Sequence, residues 1–168
     1  FLADTEARLV LCEAKLLSEF SSEVLADSSV EEMVVVNGDA VNNGQIAQRD
    51  FLDGQPTSLA PADTTAADMA FWMYSSGTTG RPKGIVHLHH DMAYTHQSYG
   101  RQILGITADD ICFSVPKIFF AYGFGNSFTF PFSVGATTVL LPGRPDPERI
   151  FDCIERYRPT LFFGLPTL

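Results

Sequence analysis

Between Tyr74 and Gly84 the chain reads Tyr-Ser-Ser-Gly-Thr-Thr-Gly-Arg-Pro-Lys-Gly, eleven residues that concentrate four aliphatic hydroxyls and three glycines. Each residue type has a use around phosphate. Gly77, Gly80 and Gly84 permit positive φ and close backbone approach, and successive backbone N–H groups can form an anion-binding nest. Ser75, Ser76, Thr78 and Thr79 supply hydroxyl donors that rotate to suit an oxygen. Pro82 limits the freedom of the loop, and Lys83 brings a point charge that needs no planar geometry. A flexible Ser/Thr/Gly hairpin with an exposed lysine is the bland alternative. The spacing does not fit the Walker pattern G-x-x-x-x-G-K-[ST]: counted from Gly77, the second glycine falls on Pro82, and Gly84 follows Lys83 where Ser or Thr is required.

Other constellations carry less. His87-Leu88-His89-His90-Asp91 matches the first five positions of a metallohydrolase H-x-H-x-D-H pattern, but Met92 stands at the sixth, and strand alternation sends His87 and His89 to one side and His90 to the other. Gly123-Phe124-Gly125 begins a dinucleotide-type G-x-G-x-x-G that Phe128 leaves unfinished. Asp109-Asp110 sits in a turn before a strand and reads as a solvated turn. Cys12, Cys112 and Cys153 lack the close pairing of a zinc site. Cys12 and Cys112 lie in apolar runs and read as small buried hydrophobes. No protein-bound metal is expected.

The formal net charge of −9, from 11 basic and 20 acidic residues, gives nucleic-acid binding no electrostatic support. A polyanionic ligand must therefore be held by local groups. No apolar run is long enough to span a membrane, and Phe1 to Arg8 lack the features of a signal peptide.

The elements that must position the loop follow from the apolar pattern. Leu9 to Cys12, Met33 to Val36, Ala70 to Tyr74, Gly84 to Leu88, Ile111 to Val115, Thr137 to Leu141 and Leu161 to Phe163 read as strands. Leu16 to Ala26 is mildly amphipathic. Asp91 is expected to cap a helix running to about Leu104, with Met92, His96, Tyr99 and Ile103 on one face. Asp146-Pro147 opens a second helix, with Ile150, Phe151, Ile154 and Tyr157 in one stripe. The segment 37–68 shows little periodicity and reads as a long surface excursion with a short helical turn at most. Apolar strands alternating with amphipathic helices predict an α/β fold with a mainly parallel sheet flanked by helices. A leading portion, 1–68, and a phosphate-loop portion, 69–168, are expected to form one structural unit. The chain opens without Met and stops at Leu168 just after a strand and turn, which reads as part of a larger domain.

Together, Tyr74 to Gly84 resemble the signature loop of the adenylate-forming (AMP-binding) superfamily of acyl- and aryl-CoA synthetases, luciferases and peptide-synthetase adenylation domains. The flanking Phe71-Trp72-Met73 and Gly84-Ile85-Val86-His87 resemble that family's strands. Phe119-Phe120-Ala121-Tyr122-Gly123-Phe124-Gly125-Asn126 resembles the acyl-pocket segment of benzoate-CoA ligases, and Phe162-Phe163-Gly164-Leu165-Pro166-Thr167 another wall of that pocket. The resemblance implies two half-reactions: a carboxylate attacks the α-phosphate of ATP, carried with Mg2+, to give acyl-adenylate and pyrophosphate, and the CoA thiol then displaces AMP. It implies that Ser75, Ser76, Gly77, Thr78, Thr79, Gly80 and Lys83 hold the phosphates, and that Phe120, Ala121, Tyr122, Gly123 and Gly164 line an aryl pocket. For Phe128, Phe130 and Phe132 core packing is expected instead. ATP, CoA and a small aryl carboxylate are the implied ligands, and a cytoplasmic setting goes with them. Other carboxylates (hydroxybenzoate, aminobenzoate, a fatty acid) and a non-catalytic nucleotide-binding or interaction module of the same fold remain open at this point.

The family's Tyr-Gly-x-Thr-Glu motif, an identifiable Asp for the ribose hydroxyls and the C-terminal adenylation lysine do not occur in these 168 residues. No complete catalytic set is therefore expected, and ATP–pyrophosphate exchange by the purified chain should stay at background. Exchange above background would show that the phosphate loop and pocket segments suffice for adenylation.

Overall fold

A computed structural model describes residues 1–38, 42, 44–76 and 80–166. The chain divides into two compact units, Phe1–Pro61 and Ala62–Leu168. The division falls inside the segment 37–68, because the carbonyls of Ala66 and Asp68 accept the backbone N–H groups of His90 and His89 and tie residues 66–68 to the second unit.

The first unit is built on a parallel sheet. After a single turn, α1 (Leu2–Thr5), strand β1 (Leu9–Glu13) pairs with β2 (Glu32–Val36), Val10 standing opposite Met33 and Cys12 opposite Val35. The connection runs through a 3-10 segment, Ala14–Glu19, and α2 (Ser22–Ala26), whose N-cap Ser21 accepts the Val24 N–H. Val10, Cys12 and Met33 form the core on one face, covered by Leu2, Leu17, Phe20, Leu25 and Val30. A third strand, β3 (Gln45–Ala47), pairs parallel to β2 and leads into α3 (Gln48–Leu52). The sequence supports the short helical turn but not this strand. Gln-Ile-Ala shows no periodicity, and its pairing with β2 makes it a strand. With a neighbour on either side, β2 is buried from Met33 to Val35, as a central parallel strand must be.

The second unit opens with an antiparallel hairpin, β4 (Met69–Ser76) and β5 (Pro82–Leu88), with an irregularity between Met69 and Phe71. The remaining strands, β6 (Ile111–Ser114), β7 (Thr137–Val139) and β8 (Leu161–Phe163), form a parallel sheet in the order β7-β6-β8. The α/β class and parallel pairing are as expected, distributed over separate sheets among the described residues. Successive residues of β6 face opposite sides. Cys112 packs with Ile106, Phe130, Ala136 and Phe163 on one side, and Phe113 with Val115, Val139 and Ile150 on the other. Burial beside Asp110 pushes the Cys112 thiol up to about 11, so it behaves as an apolar side chain.

Helices cover both faces. On one, α4 (His89–Thr95) continues into a π-helical stretch, His96–Leu104, ended by Gly105 at φ 65°. Asp91 is not the N-cap. It lies in the first turn and accepts the N–H of Leu88, the capping residue, at 3.1 Å. The expected stripe is also displaced. Because a π-turn holds more residues than an α-turn, His96 and Gly100 are buried and Leu104 reaches the core, while Ile103 is 70% exposed. The same face carries α5 (Ala121–Phe124), a π-turn at Gly125–Thr129, and α6 (Phe130–Val134). On the other face lies α7 (Pro147–Tyr157), capped by Asp146 through the Arg149 N–H with Pro147 in its first turn, as expected. Ile150 and Ile154 pack inward with Cys153, whereas Phe151 is exposed.

The Asp109-Asp110 turn proves to be a tie. Asp110 accepts from the Thr107 N–H at 2.8 Å and the Thr160 hydroxyl at 2.7 Å, and that hydroxyl accepts the Ile111 N–H at 3.0 Å, joining the starts of β6 and β8. These bonds, the Thr160 hydroxyl first, hold the Asp110 carboxyl below its ordinary range. The stability it contributes is present above the unfolded carboxyl's pKa, about 3.9, and is lost as pH falls through the lower folded value. Asp110→Asn should lower unfolding stability at pH 7 by about 1 kcal/mol and reduce the loss of stability below about pH 4, measured by urea denaturation across pH.

Candidate functional site

The connection from β6 to β7 leaves on one side of β6 and the connection from β7 to β8 returns on the other, so β6 and β8 neighbour each other at a reversal of strand order. In open α/β sheets, the crevice beyond the carboxyl ends of such strands is where ligands bind. The ends are held together by the Val115 N–H, which donates to the Phe163 carbonyl at 3.0 Å. From β6 the chain runs through Pro116 and Lys117 to Phe119, Phe120 and α5, and from β8 it runs to Gly164. Tyr122 meets Phe163 edge-on, ring centroids 6.5 Å apart, and Phe113 lies 5.6 Å from Phe162.

Phe119, Phe120, Tyr122 and Phe162 are all exposed at this end of the sheet. The expected pocket residues do not share one surface. Ala121 lies on the side of α5 that carries Phe124 and Gly125, lining a cavity of about 180 Å³ with Phe71, Met73, His87, Asp91 and Phe130 among its walls. Tyr122 faces Phe163 instead. Gly123 is buried, and a Cβ there would stand 2.1 Å from the Lys117 carbonyl oxygen, so its place is set by backbone packing. Gly164 is exposed, with the Phe162 ring over it. Of the aromatics expected in the core, only Phe130 is buried. Phe128 and Phe132 are exposed and meet edge-on at 5.1 Å.

The hairpin presents the hydroxyl and lysine residues. In the β4–β5 register Ser75 stands opposite Lys83 and Ser76 opposite Pro82, which sets hydroxyl and cation side by side at the exposed tip. Gly80 has φ 79°, where a side chain would be strained. Gly84 lies under the Tyr74 and Trp72 rings, within 3.3 Å of where a Cβ would be. Gly77, Thr78 and Thr79 lie outside the described residues, as does Thr167.

The histidine run resolves into hydrogen bonds. Asp91 lies 3.1 Å from His87 Nδ1 and 3.1 Å from His90 Nε2, and the Ala66 carbonyl lies 2.9 Å from His90 Nδ1. The Leu88 N–H is the main reason the Asp91 carboxyl is held below its usual range. Among the described residues no group of three His, Cys, Asp or Glu could hold a metal ion.

Three features had little signal in the sequence. Asn126 is buried with Oδ1 unpaired. Its lone amide in an aromatic run was the available clue. His96, in the buried face of the π-helix, lies 2.6 Å from Ser133 Oγ, which donates to the Phe130 carbonyl. Ser133 Oγ lies within hydrogen-bond distance of both groups and ties the π-helix to α6. Burial holds the imidazole pKa below its ordinary value. Lys117 Nζ donates to the Leu141 carbonyl, and desolvation lowers its pKa.

Residues 1–168 match the family model for the AMP-binding enzyme throughout. The chain belongs to the AMP-binding enzyme family. Among relatives, the chain is similar to benzoate--CoA ligase of Thauera aromatica, 41% identical over 167 residues that cover 99% of this chain and 31% of the relative. It is 40% identical to 4-hydroxybenzoate--CoA/benzoate--CoA ligase of Rhodopseudomonas palustris, over 99% of this chain and 30% of the relative. The chain thus spans about a third of the length of the curated relatives it matches. Among solved structures, it resembles an anthranilate CoA ligase in complex with anthranoyl-AMP, with a TM-score of 0.90, 36% identity and 99% and 32% of the two chains covered. A benzoate CoA ligase from Burkholderia xenovorans LB400 gives a TM-score of 0.81 at 36% identity, with the same coverage.

Within this AMP-binding fold, Gly123 is the position where the crevice tolerates least. Gly123→Ala must push α5 away from the Lys117 carbonyl and is expected to destabilise by about 1–3 kcal/mol, read by denaturant unfolding. Gly84→Ala meets only movable rings and should cost less.

Proposed function

We propose that this chain is the phosphate-binding and aryl-recognition segment of an AMP-forming aryl-CoA ligase that acts on benzoate or a close ring-substituted relative. The observation that carries the reading is the exposed aromatic segment that follows β6, where the Phe119 and Phe120 rings lie 4.6 Å apart and Tyr122 stands edge-on to Phe163 of β8. Flat apolar walls suit a benzene ring. The names of the relatives, which act on benzoate, hydroxybenzoates and anthranilate, point the same way.

In the first step a carboxylate oxygen attacks the α-phosphorus of ATP, the bond to the bridging oxygen breaks, and pyrophosphate leaves with its electron pair. In the second, the CoA sulfur attacks the acyl carbon and AMP departs. Positioning and charge stabilisation are the protein's share of the first step. Ser75, Ser76, Gly77, Thr78, Thr79, Gly80 and Lys83 bind the β- and γ-phosphates, with Ser75 and Lys83 already paired across the hairpin. Phe120 and Tyr122 orient the ring, Ala121 lines the separate cavity beside Phe71, Gly123 keeps α5 close to the Lys117 carbonyl, and Gly164 lies exposed beneath the Phe162 ring. Mg2+ would accompany the nucleotide and offset phosphate charge; among the described residues no group of three His, Cys, Asp or Glu could hold it. Use of ATP and CoA as co-substrates supports a cytoplasmic setting.

The test is pyrophosphate release by the full-length enzyme across aryl and alkyl carboxylates, with benzoate or a substituted benzoate expected to give the highest kcat/KM. Preference for an alkyl acid would remove the aryl assignment. In the same assay Lys83→Ala should lower kcat/KM for ATP by roughly 10- to 100-fold, through lost charge stabilisation of the phosphates. An unchanged value would remove Lys83 from the phosphate site.

A further inference from the structure

The aromatic run after β6 has little of its own to hold it in place. Ile118, Phe119 and Phe120 are exposed, and α5, into which they lead, is a single turn. Lys117 bears on this run through both its backbone and its side chain. Its carbonyl accepts the Phe120 N–H at 3.0 Å, at the N-cap of α5. The same carbonyl oxygen would stand 2.1 Å from a Cβ on Gly123, so α5 rests directly on it. The side chain reaches a different strand. Its Nζ donates to the Leu141 carbonyl, just beyond the end of β7.

A tie fixes one end only if the other end is fixed, and the connection after β7 is held from α7. Arg149 donates through Nη2 to the Pro142 carbonyl at 2.7 Å and through Nη1 to the Arg144 carbonyl at 3.0 Å. Gly143 between them has φ 70°, a left-handed turn that glycine allows. Packing between the two tied segments is incomplete. Pro116, Lys117, Ile118, Leu140, Leu141 and Pro142 all line one cleft of about 390 Å³. Side chains beside a void lack partners on one side, so packing holds them less steeply than in a filled core. Among the described residues, the Lys117 side chain supplies the hydrogen bond that crosses from one segment to the other. A charged donor makes a stronger bond than a neutral one, and this one is part-buried.

We propose that Lys117 is a positioning residue for the carboxylate substrate: anchored on the Leu141 carbonyl, it sets where α5 starts and so where the Phe120 and Tyr122 rings stand. This rests on the ligase reading above. Lys117 acts through the Phe120 N–H and the backbone at Gly123, so its effect falls on ring placement and not on the phosphate loop. A group displaced by about 1 Å can cost roughly 100-fold in rate even when it is remote from the chemistry.

The test uses the full-length enzyme, with pyrophosphate release measured against ATP and against benzoate or the carboxylate preferred in the release assay. Lys117→Met keeps an unbranched side chain and removes the donor. It should raise KM for the carboxylate by about tenfold while KM for ATP stays within about twofold. Lys117→Arg can still donate to the Leu141 carbonyl and should recover most of that loss. Backbone amides of residues 118–124 should exchange hydrogen about tenfold faster in Lys117→Met, with those of α7 unchanged. If Lys117→Met raises both KM values together, or lowers the melting temperature and leaves the carboxylate KM intact, the role is merely structural and the inference is overturned. Unchanged exchange over 118–124 overturns it as well. If Lys117→Met does not fold, Arg149→Met frees the same loop from the α7 side and is read by the same KM split and by exchange over 118–124. A wild type that releases pyrophosphate with no aryl carboxylate overturns the ligase reading, and the exchange comparison then decides alone whether Lys117 holds α5.

Discussion

Strand β6 is the constraint on which the second unit depends. It is bonded on both edges, to β7 and β8, and buried on both faces. With Cys112 on one side and Phe113 on the other, there is no solvent side for a polar residue to occupy. Layers must cover both faces, and they do so with α4 to α6 on one side and α7 on the other. The reversal of strand order around β6 opens a crevice at its carboxyl end, while Asp110 and Thr160 lock the opposite end. The locked end and the open end are thereby separated along one strand.

Glycine enters this arrangement where two backbones or a backbone and a ring must touch. Gly123 lets α5 press on the Pro116 and Lys117 carbonyls, so Phe120 and Tyr122 project from a helix that has little freedom to shift toward the sheet. Gly84 lets the Tyr74 and Trp72 rings cross the hairpin behind Lys83. The two positions shape the surroundings of the aryl and phosphate segments from beneath, without offering a functional atom of their own. Residues that line a site by sequence resemblance can therefore act through packing alone.

What was legible in the sequence was what local chemistry decides. Asp146-Pro147 announced α7, and the apolar runs marked β1, β2, β6 and β8, because caps and continuous burial leave a signal in a few adjacent residues. The hydroxyl- and glycine-rich stretch from Tyr74 to Gly84 stands out for the same reason: its residues are contiguous. Features decided by distant partners were not. Gln45 to Ala47 form a strand only because β2 has a free edge. Ile103 was assigned to the buried face by a period of 3.6, and π-helical turns rotated Gly100 and Leu104 there instead. Within Phe119 to Asn126 the division of faces was not legible. A one-turn helix has no periodicity from which to tell that Ala121 faces the Phe71 cavity and Tyr122 faces Phe163.

The charge of the chain bears on how a polyanion could be held at all. With a net −9 the overall field opposes ATP, so attraction must come from groups within a few ångströms, where the opposing charges are screened by water and salt. The hairpin tip meets this requirement, since Arg81 and Lys83 are both exposed there beside Ser75 and Ser76. Asp91, the carboxylate on the adjoining helix, is engaged by the Leu88 N–H and by His87 and His90 at the opposite end of the hairpin from that tip. The histidines that mimic a metal motif thus surround one carboxylate, distant from the tip, and one of them, His87, stacks on Phe71, which in turn meets Phe124 of α5.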